Sequence, residues 1–298
     1  MPKDFETISA KTIISRVSKP SSWFGAEYNM NIYRGCSHGC IYCDSRSDCY
    51  RNADFDRIKV KENALQIIRD ELRRKVKTGV IATGAMSDPY NPAERELKLS
   101  RHALELMNSF GFGAAITTKS ALIARDIDVL QDIKSHSPVI AKITVTTADD
   151  GLCQKIEPNA DATTRRFEAV AKLAQGGIYC GILLNPVLPF LTDTPENIAG
   201  VLRLAKEAGA KFVHTFMGMT LRAGNREYFY SRLDKDFPDV RGKYIKRFGN
   251  QYSCTAPDAK KLWGIFSAEC ERLGLLYDMK AITGKYKSGY YGRQLSLL

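Results

Sequence analysis

The sequence predicts an α/β protein, a partial, TIM-like (β/α)6 barrel with an extension at each end. The first supporting observation is an alternation, from about residue 78 onward, of short apolar or β-branched runs with longer amphipathic stretches. Repeated βα units of this kind imply a parallel sheet with helices outside it. The second is size, because 298 residues with 44% hydrophobic content can bury a full core. Six units leave the barrel incomplete, since a closed barrel of this type has about eight.

The elements follow from this alternation in chain order. The predicted strands cover residues 28–33, 79–84, 113–119, 140–147, 179–187 and 212–218. The predicted helices cover residues 61–77, 100–111, 124–135, 163–177 and 194–209. We expect residues 1–27 to form an N-terminal extension, residues 28–220 the barrel, and residues 221–298 a C-terminal region that closes its open side.

Three cysteines follow the first predicted strand. Cys36, Cys40 and Cys43 are separated by three and then two residues in the segment NIYRGCSHGCIYCD. A four-iron cluster bound by only three thiolates keeps one iron free for an outside ligand. A zinc site that adds Cys49 or His38 is the alternative, but structural zinc sites usually use two pairs of ligands, which do not appear here. The spacing therefore favours an iron–sulfur cluster.

With Tyr42 before the last cysteine, this segment resembles the cluster loop of the radical S-adenosylmethionine (radical SAM) superfamily. The segments SDPYNP, TTKS, RDIDVL, KIEPNA and NPVLPFLTD resemble its spore photoproduct lyase-like branch, from about Asn31 to Asp193. The resemblance implies a radical SAM-type partial barrel, a [4Fe-4S] cluster on the three cysteines and SAM at the strand ends. In such enzymes reductive cleavage of SAM gives a 5′-deoxyadenosyl radical.

The segment after the second predicted strand contains small and polar residues. Gly84, Ala85 and Met86 look like a degenerate version of the segment that, in radical SAM proteins, meets the amino group of SAM. Ser87 follows them and supplies a hydroxyl group. A proline-containing turn with no ligand is the alternative interpretation of this segment.

Three further residues lie where barrel-type folds hold their functional groups, near the carboxyl ends of strands. Lys119 is either a clamp for a carboxylate or a solvated loop charge. Arg166, in the first turn of a helix, is suited to grip a carboxylate with two parallel hydrogen bonds. Asn185 either contacts the adenosine portion of SAM or only forms an Asn-Pro turn.

One departure from spore photoproduct lyase concerns the hydrogen donor. The lyase carries a catalytic cysteine before the Thr-Asp pair that follows its second strand, and here Met86 occupies that place. Methionine has no S–H bond to donate, so the lyase reaction in its known form is not expected. Cys153, Cys180 and Tyr90 are the candidate replacements, although buried cysteine is more often structural.

The net charge of +11 and the pI near 9.2 favour a polyanionic partner, and DNA is the natural candidate. Lysines and aromatics interleave in residues 243–253 and 280–293, as in surfaces that stack bases, although such stretches also occur for solubility alone. The last five residues, Gln294, Leu295, Ser296, Leu297 and Leu298, resemble the peptide with which bacterial DNA-metabolising proteins dock onto the sliding clamp.

Three functions stay open on the sequence alone. The first is a radical SAM enzyme that modifies or repairs DNA, supplied with electrons by a reductant such as flavodoxin or ferredoxin. The second is a radical SAM enzyme that acts on a peptide or small molecule. The third is a non-catalytic iron–sulfur protein that transfers electrons or binds nucleic acid. Since no apolar run reaches the roughly 18 residues of a membrane span, and no signal stretch opens the chain, we expect a cytoplasmic protein without a membrane segment.

Overall fold

The described residues, 5–19, 23–52 and 54–290, form strands and helices in a computed structural model of the chain. The strands are β1 (Glu6–Ile8), β2 (Ile14–Arg16), β3 (Tyr28–Met30), β4 (Tyr33–Arg34), β5 (Lys59–Lys61), β6 (Val80–Thr83), β7 (Gly113–Thr118), β8 (Val139–Thr144), β9 (Cys180–Leu184), β10 (Val213–Thr215), β11 (Gly218–Thr220) and β12 (Ser253–Thr255). The α-helices are α1 (Ala64–Arg74), α2 (Glu94–Leu97), α3 (Leu99–Ser109), α4 (Ile127–Lys134), α5 (Asp150–Ile156), α6 (Thr163–Gln175), α7 (Pro195–Glu207), α8 (Asn225–Asp236), α9 (Val240–Phe248), α10 (Ala259–Leu273) and α11 (Met279–Lys287).

The largest sheet has the strand order β10-β9-β8-β7-β6-β3-β2. The strands from β10 to β3 are all parallel, and β2 pairs with β3 in the antiparallel direction. Among the described residues no strand pairing joins β10 to β2, so the barrel stays open along one side. This arrangement confirms the predicted partial (β/α)6 barrel.

The strands of the barrel are buried on both faces, as expected of a parallel sheet covered by helices. On β8, Ile140 packs inside the barrel, whereas Ala141 and Ile143 pack under the helices. Side chains alternate along a strand, so Lys142 points into the barrel. It is fully buried there, with Nζ 4.8 Å from the centre of the Phe24 ring and without a hydrogen-bond partner among the described residues.

The first and the last predicted strands are interrupted in the structure. The strand predicted at residues 28–33 divides into β3 and β4, and the one predicted at 212–218 ends with β10. The backbone N–H of Phe216 donates to Oδ1 of Asn185, 2.9 Å away, instead of continuing the sheet. The chain then forms β11, which pairs with β12 in a small separate sheet.

A core at the amino ends of the barrel strands combines both ends of the chain. Phe24 and Tyr286 pack in this core, and the Tyr286 hydroxyl donates to the Phe24 carbonyl oxygen at 2.6 Å. Lys287 is also buried and pairs with Glu27 at 2.7 Å. Tyr286 and Lys287 are therefore structural residues, which corrects the prediction that they belong to a base-stacking surface over residues 280–293.

Another core lies at the carboxyl ends, around the cysteine segment. Ile41 and Tyr42 pack there with Phe229 of α8 and Tyr244 of α9. The lysines and arginines of α9 are exposed on its outer face. The basic segment predicted at residues 243–253 therefore lies on the same core as the cysteines, whereas α11 lies at the other end of the barrel.

Among the described residues, no helix combines the length and the apolar character needed to cross a membrane. The clamp-like peptide at residues 294–298 lies outside the described residues.

We predict that the substitution Lys142→Met stabilises the protein near pH 7. Burial lowers the pKa of Lys142 from its ordinary value of 10.5 to about 7, because the charged form is poorly solvated inside the barrel. The folded state is therefore penalised increasingly as the pH falls from 10.5 towards 7, up to a limit of about 5 kcal/mol at 1.36 kcal/mol per pKa unit. Urea unfolding of both proteins at pH 7 and pH 10.5 measures the effect. An equal difference at the two pH values would contradict it.

Candidate active site

The cysteine segment forms a tight loop after β4, which we call the cluster loop (residues 35–43). Gly35 has a φ of +79°, and a Cβ at this position would lie 2.2 Å from a backbone carbonyl oxygen, so only glycine fits. The N–H of Cys36 donates to the Phe55 carbonyl oxygen at 2.8 Å. These contacts fold the loop so that Cys36, Cys40 and Cys43 face one cavity.

This cavity, the cluster cavity, joins the cluster loop to the carboxyl ends of β6, β7 and β8. It encloses about 470 Å³, including the space at its open mouth. Its lining consists of Cys36, His38, Cys40, Cys43, Ser45, Phe55, Gly84, Ala85, Met86, Ser87, Asp88, Thr117, Thr118, Lys119 and Thr144. The structure thus brings together the predicted cluster ligands, the four predicted residues after β6, and Lys119.

The end of β6 approaches its neighbours closely. Gly84 has a φ of +88°, and a Cβ there would lie 2.0 Å from the Thr117 carbonyl oxygen. The Ser87 hydroxyl donates to the carbonyl oxygen of Gly35, so its hydrogen bond holds the strand end against the cluster loop. Met86 is 36% exposed beside it. At Gly84 the wall of the cavity therefore consists of backbone alone.

Asp88 connects three parts of the site. The Thr118 hydroxyl donates to its Oδ1 at 2.6 Å, and the Lys119 N–H donates to its Oδ2 at 2.8 Å. Nδ1 of His38 lies 3.5 Å from Oδ2. The sequence suggested His38 only as an alternative zinc ligand, and it did not predict the contact between His38 and Asp88. Their only signal was position, within the cysteine segment and after the second strand respectively.

The cavity carries positive charge beside the thiols. Nζ of Lys119 lies 5.6 Å from the centre of the Tyr42 ring. Burial alone would lower the pKa of Lys119. The negative charges of Cys40 and other nearby acids outweigh this effect, so the pKa lies above its ordinary value and Lys119 stays charged. For Cys36, burial alone would raise the pKa of the thiol. The hydrogen bond and the charge of His38 outweigh burial, so the pKa of Cys36 lies below its ordinary value. The site is therefore suited to an anionic group.

Arg166 lies beneath the cluster loop rather than in the cavity. It is fully buried, and its Nη2 pairs with Oε2 of Glu157 at 2.6 Å. Its Nε and Nη1 donate to the carbonyl oxygens of Asp161 and Thr144 at 2.6 and 3.0 Å. The Tyr42 hydroxyl donates to the same Glu157. The prediction that Arg166 grips a carboxylate of SAM is therefore wrong, since each guanidinium nitrogen is bonded to the protein, and the Tyr42 hydroxyl likewise faces the protein.

The predicted hydrogen donors also lie outside the cluster cavity. Cys153 is buried, with Sγ 3.6 Å from a Glu157 carboxylate oxygen. Cys180 begins β9, at the opposite end from the cavity, and its Sγ lies 3.6 Å from the Val170 carbonyl oxygen. Tyr90 is 2% exposed and lines a different cavity of about 390 Å³. None of the three faces the cluster cavity, which corrects their assignment as donors.

Two other residues considered in the sequence are elsewhere. Asn185 does not line the cluster cavity, and its Oδ1 accepts the Phe216 N–H at 2.9 Å. Cys49 is exposed, and its Sγ accepts a hydrogen bond from Nη1 of Arg222 at 3.4 Å. Cys49 is therefore not grouped with the three loop cysteines.

The loop thiols are arranged as an iron–sulfur cluster needs. Among the described residues, no group of three or more His, Cys, Asp or Glu side chains is placed to hold one metal ion. Each cysteine of an iron–sulfur cube binds a different iron, so the thiols need to line one cavity and need not meet at one point. Cys36, Cys40 and Cys43 do so as free thiols.

Several known proteins are similar to this chain in sequence. The sequence profile of the Radical SAM superfamily matches residues 30–199. An uncharacterised protein of Methanocaldococcus jannaschii is 32% identical over 196 residues, covering 65% of this chain and 71% of that protein. An uncharacterised protein of Mycobacterium tuberculosis is 29% identical over 247 residues, covering 80% and 72%. A radical SAM Nα-GlyT isomerase of Pseudomonas phage M6 is 23% identical over 154 residues, covering 52% and 32%.

Solved structures share the fold. Spore photoproduct lyase complexed with dinucleoside spore photoproduct has a TM-score of 0.68 and 16% identity, over 90% of this chain and 80% of that one. The radical SAM methyltransferase TsrM from Kitasatospora setae, with cobalamin and a [4Fe-4S] cluster bound, has a TM-score of 0.54 and 11% identity, over 82% and 50%. At these identities the likeness establishes the fold alone.

The chain belongs to the radical SAM superfamily. It is an enzyme with the spore photoproduct lyase-like fold, and its cofactors are a [4Fe-4S] cluster and SAM, as the sequence predicted. Because the chain belongs to this family, the two alternative hypotheses, a zinc site and a simple electron carrier, are no longer needed. Cys36, Cys40 and Cys43 line one cavity, and their assignment as the cluster ligands stays a prediction.

We expect Cys40→Ala to abolish cluster assembly, because the cube then loses one of its three protein ligands. Cys36→Ala and Cys43→Ala are expected to do the same. Cys49→Ala is the matched control and should keep its iron, since Cys49 is exposed and bonded to Arg222. Iron and sulfide analysis after anaerobic reconstitution measures both. Loss of iron from the Cys49 variant would contradict the ligand assignment.

Glu157→Gln is expected to destabilise the protein by about 3–5 kcal/mol, because the buried charge of Arg166 loses its partner. The matched control is Glu168→Gln, whose ion pair with Arg165 is exposed and should contribute less than about 1 kcal/mol. Chemical unfolding of the two variants gives the comparison. Similar losses of unfolding free energy in both variants would show that the buried ion pair contributes no more to stability than the exposed one.

Proposed function

We propose that this enzyme uses its radical chemistry on nucleic acid, with DNA as the substrate, in repair or modification. The observation that carries the proposal is an aromatic–arginine stack beside the cluster loop. The Arg222 guanidinium lies 5.7 Å from the Tyr50 ring centre and 4.9 Å from the Tyr252 ring centre. Nε of Arg222 lies 3.5 Å from Asp44, the residue after Cys43. Such platforms stack bases.

Charge and exposure support this surface as a nucleic-acid interface. Tyr252 is 50% exposed, and the neighbouring α9 carries exposed Lys243, Lys246 and Arg247. The whole chain has a net charge of +11, which attracts a polyanion over a long range. Basic groups and stacking rings therefore occur together close to the cofactor site.

The ligand of one similar solved structure agrees with this substrate class. One solved structure with the same fold is a spore photoproduct lyase with a dinucleoside spore photoproduct. One phage relative is named a radical SAM Nα-GlyT isomerase. We propose a related but different reaction here, because Met86 stands where the lyase has its catalytic cysteine and lines the cluster cavity. Methionine cannot donate a hydrogen atom from sulfur.

The side chains of this site are proposed to bind and orient the cofactors and the substrate. Lys119 offers a positive charge inside the cluster cavity, and Asp88 accepts hydrogen bonds from its backbone N–H and from the Thr118 hydroxyl. Ser87 and Gly84 keep the end of β6 close to the cluster loop. When bound, the cluster and SAM supply a 5′-deoxyadenosyl radical for abstraction of a hydrogen atom from the substrate.

The cellular compartment and the protein partners of the enzyme are also proposals. All eight cysteines are free thiols in the described structure, which supports a reducing compartment, and we propose the cytoplasm. The electron for SAM cleavage is proposed to come from a protein reductant such as flavodoxin or ferredoxin. Docking of Gln294, Leu295, Ser296, Leu297 and Leu298 on the sliding clamp stays a proposal from the sequence.

The substrate class is tested by 5′-deoxyadenosine release from reconstituted protein with SAM and a reductant. We expect release to rise when damaged or modified DNA is added, since substrate binding next to the cavity positions SAM and the target together. Peptide and metabolite mixtures, and the cluster-free Cys40→Ala protein with DNA, are the controls. Stimulation by a peptide or metabolite alone would assign the enzyme to the other substrate class.

A further inference from the structure

A chain of connected cavities leads from the cluster cavity to the surface beside the cluster loop. The first, which we call the access groove, encloses about 570 Å³ including its mouth. It shares Ser45, Phe55, Met86 and Ser87 with the cluster cavity. It also shares Phe55 and Asn52 with a wider outer groove of about 960 Å³. A ligand lying along both grooves therefore reaches the cofactor site.

The two grooves are lined by cations. Arg34 and Lys61 line the access groove, and Arg46 and Arg51 line the outer groove. Among the described lining residues, the one carboxylate belongs to Asp48. The combined lining is therefore positively charged.

Within the described part of the chain, Arg34, Arg51 and Lys61 form no ion pair with a carboxylate. Nη2 of Arg34 donates to the Arg51 carbonyl oxygen at 2.6 Å, and Nζ of Lys61 donates to the Asn31 carbonyl oxygen at 2.6 Å. A carbonyl oxygen accepts the hydrogen bond without cancelling the charge. Arg46 differs, because it forms an ion pair with Asp56. Arg34 and Arg51 therefore keep their charge for a ligand, whereas burial lowers the pKa of Lys61.

The cationic grooves also present aromatic faces. The Arg46 guanidinium lies 3.9 Å from the Tyr228 ring centre and 4.9 Å from the Phe55 ring centre. Tyr50, part of the stack with Arg222, lines the access groove. Cations and aromatic rings thus line the same two grooves, a composition that is also found in single-strand binding surfaces.

The dimensions limit what can enter. About 570 Å³ falls within the range of roughly 300–1,000 Å³ for pockets that hold one small ligand. A base pair within a duplex cannot pass such a groove towards the thiols of the cluster cavity. Enzymes that act on a base inside a duplex solve this by taking the nucleotide out of the stack.

We propose that the access and outer grooves hold a single strand of nucleic acid, with its phosphates against Arg34 and Arg51, and that one unpaired or flipped nucleotide enters the cluster cavity. This inference rests on the proposed nucleic-acid function and adds the route and the strand state of the substrate. It assigns the binding surface to the cluster-loop side of the barrel and not to α11, where the sequence also places lysines.

The test uses the double variant Arg34→Gln with Arg51→Gln in the reconstituted enzyme with SAM. Both arginines are exposed, so the fold should be retained, and Arg51→Gln alone provides a second, milder variant. The matched control is Lys280→Gln with Lys285→Gln, which removes the same charge from exposed positions of α11. Fluorescence anisotropy with a labelled single strand and a matched duplex, over a range of salt concentrations, gives the affinity and its salt slope.

We expect the single strand to bind more tightly than the duplex, and the groove variant to lower the log–log salt slope by about 1.4, at about 0.7 per lost phosphate contact. The control variant should keep the wild-type slope. If the affinity falls only in the α11 variant, or if the wild type and the groove variant have equal salt slopes, the groove assignment is overturned. The nucleic-acid function is not affected by either result. A wild-type enzyme without salt-dependent affinity for either oligonucleotide would overturn both.

Discussion

The buried ion pair between Glu157 and Arg166 anchors the active site. Glu157 has no exposed surface, and besides Arg166 it accepts hydrogen bonds from Tyr42 in the cluster loop and from Thr146 after β8, the latter at 3.2 Å. The N–H of Ile41 donates to the backbone just before Glu157, at 3.0 Å. One carboxylate thus joins the cluster loop to the barrel. Without its partner, either charge would be buried at a cost of several kcal/mol.

This anchor explains why an otherwise irregular loop can hold three thiols in place. On one side the loop is fixed through Tyr42 to the barrel, and on the other through Gly35 to Ser87. Asp88 then connects the ends of β6 and β7 to His38 inside the loop. Binding sites held by such supporting contacts are more exact than sites on free loops. The barrel therefore acts as the rigid frame, and the loop supplies the ligands.

Much of this arrangement could be predicted from the sequence because it depends on local patterns. The spacing of Cys36, Cys40 and Cys43 identified the cofactor, and the βα alternation identified the open barrel. Residue type alone was misleading for Arg166, which is suited to carboxylates and does bind one, but that carboxylate belongs to Glu157. Its partner could not be predicted, since the choice between a cofactor and a protein carboxylate depends on tertiary burial.

Strand direction and long-range contacts account for the other differences. Cys180 is close to a strand end, but the structure shows that it is the amino end, away from the cofactors. His38, Asp88 and Thr118 come from three distant segments, and nothing in each segment alone indicates that they meet. The lysines near the C-terminus resembled a nucleic-acid surface, yet Lys287 neutralises Glu27 inside a core. Composition indicates a partner class, whereas the surface that binds it is determined by packing.

Whether three thiolates hold the cluster and leave one iron to SAM is tested most directly by electron–nuclear double resonance. The reduced protein is measured with SAM isotopically labelled in its amino and carboxylate groups. Ligation by Cys36, Cys40 and Cys43 alone predicts magnetic coupling between the cluster and both labelled groups. A cluster that forms normally but shows no coupling to either label would mean that the protein supplies a fourth ligand, and it would contradict the assignment.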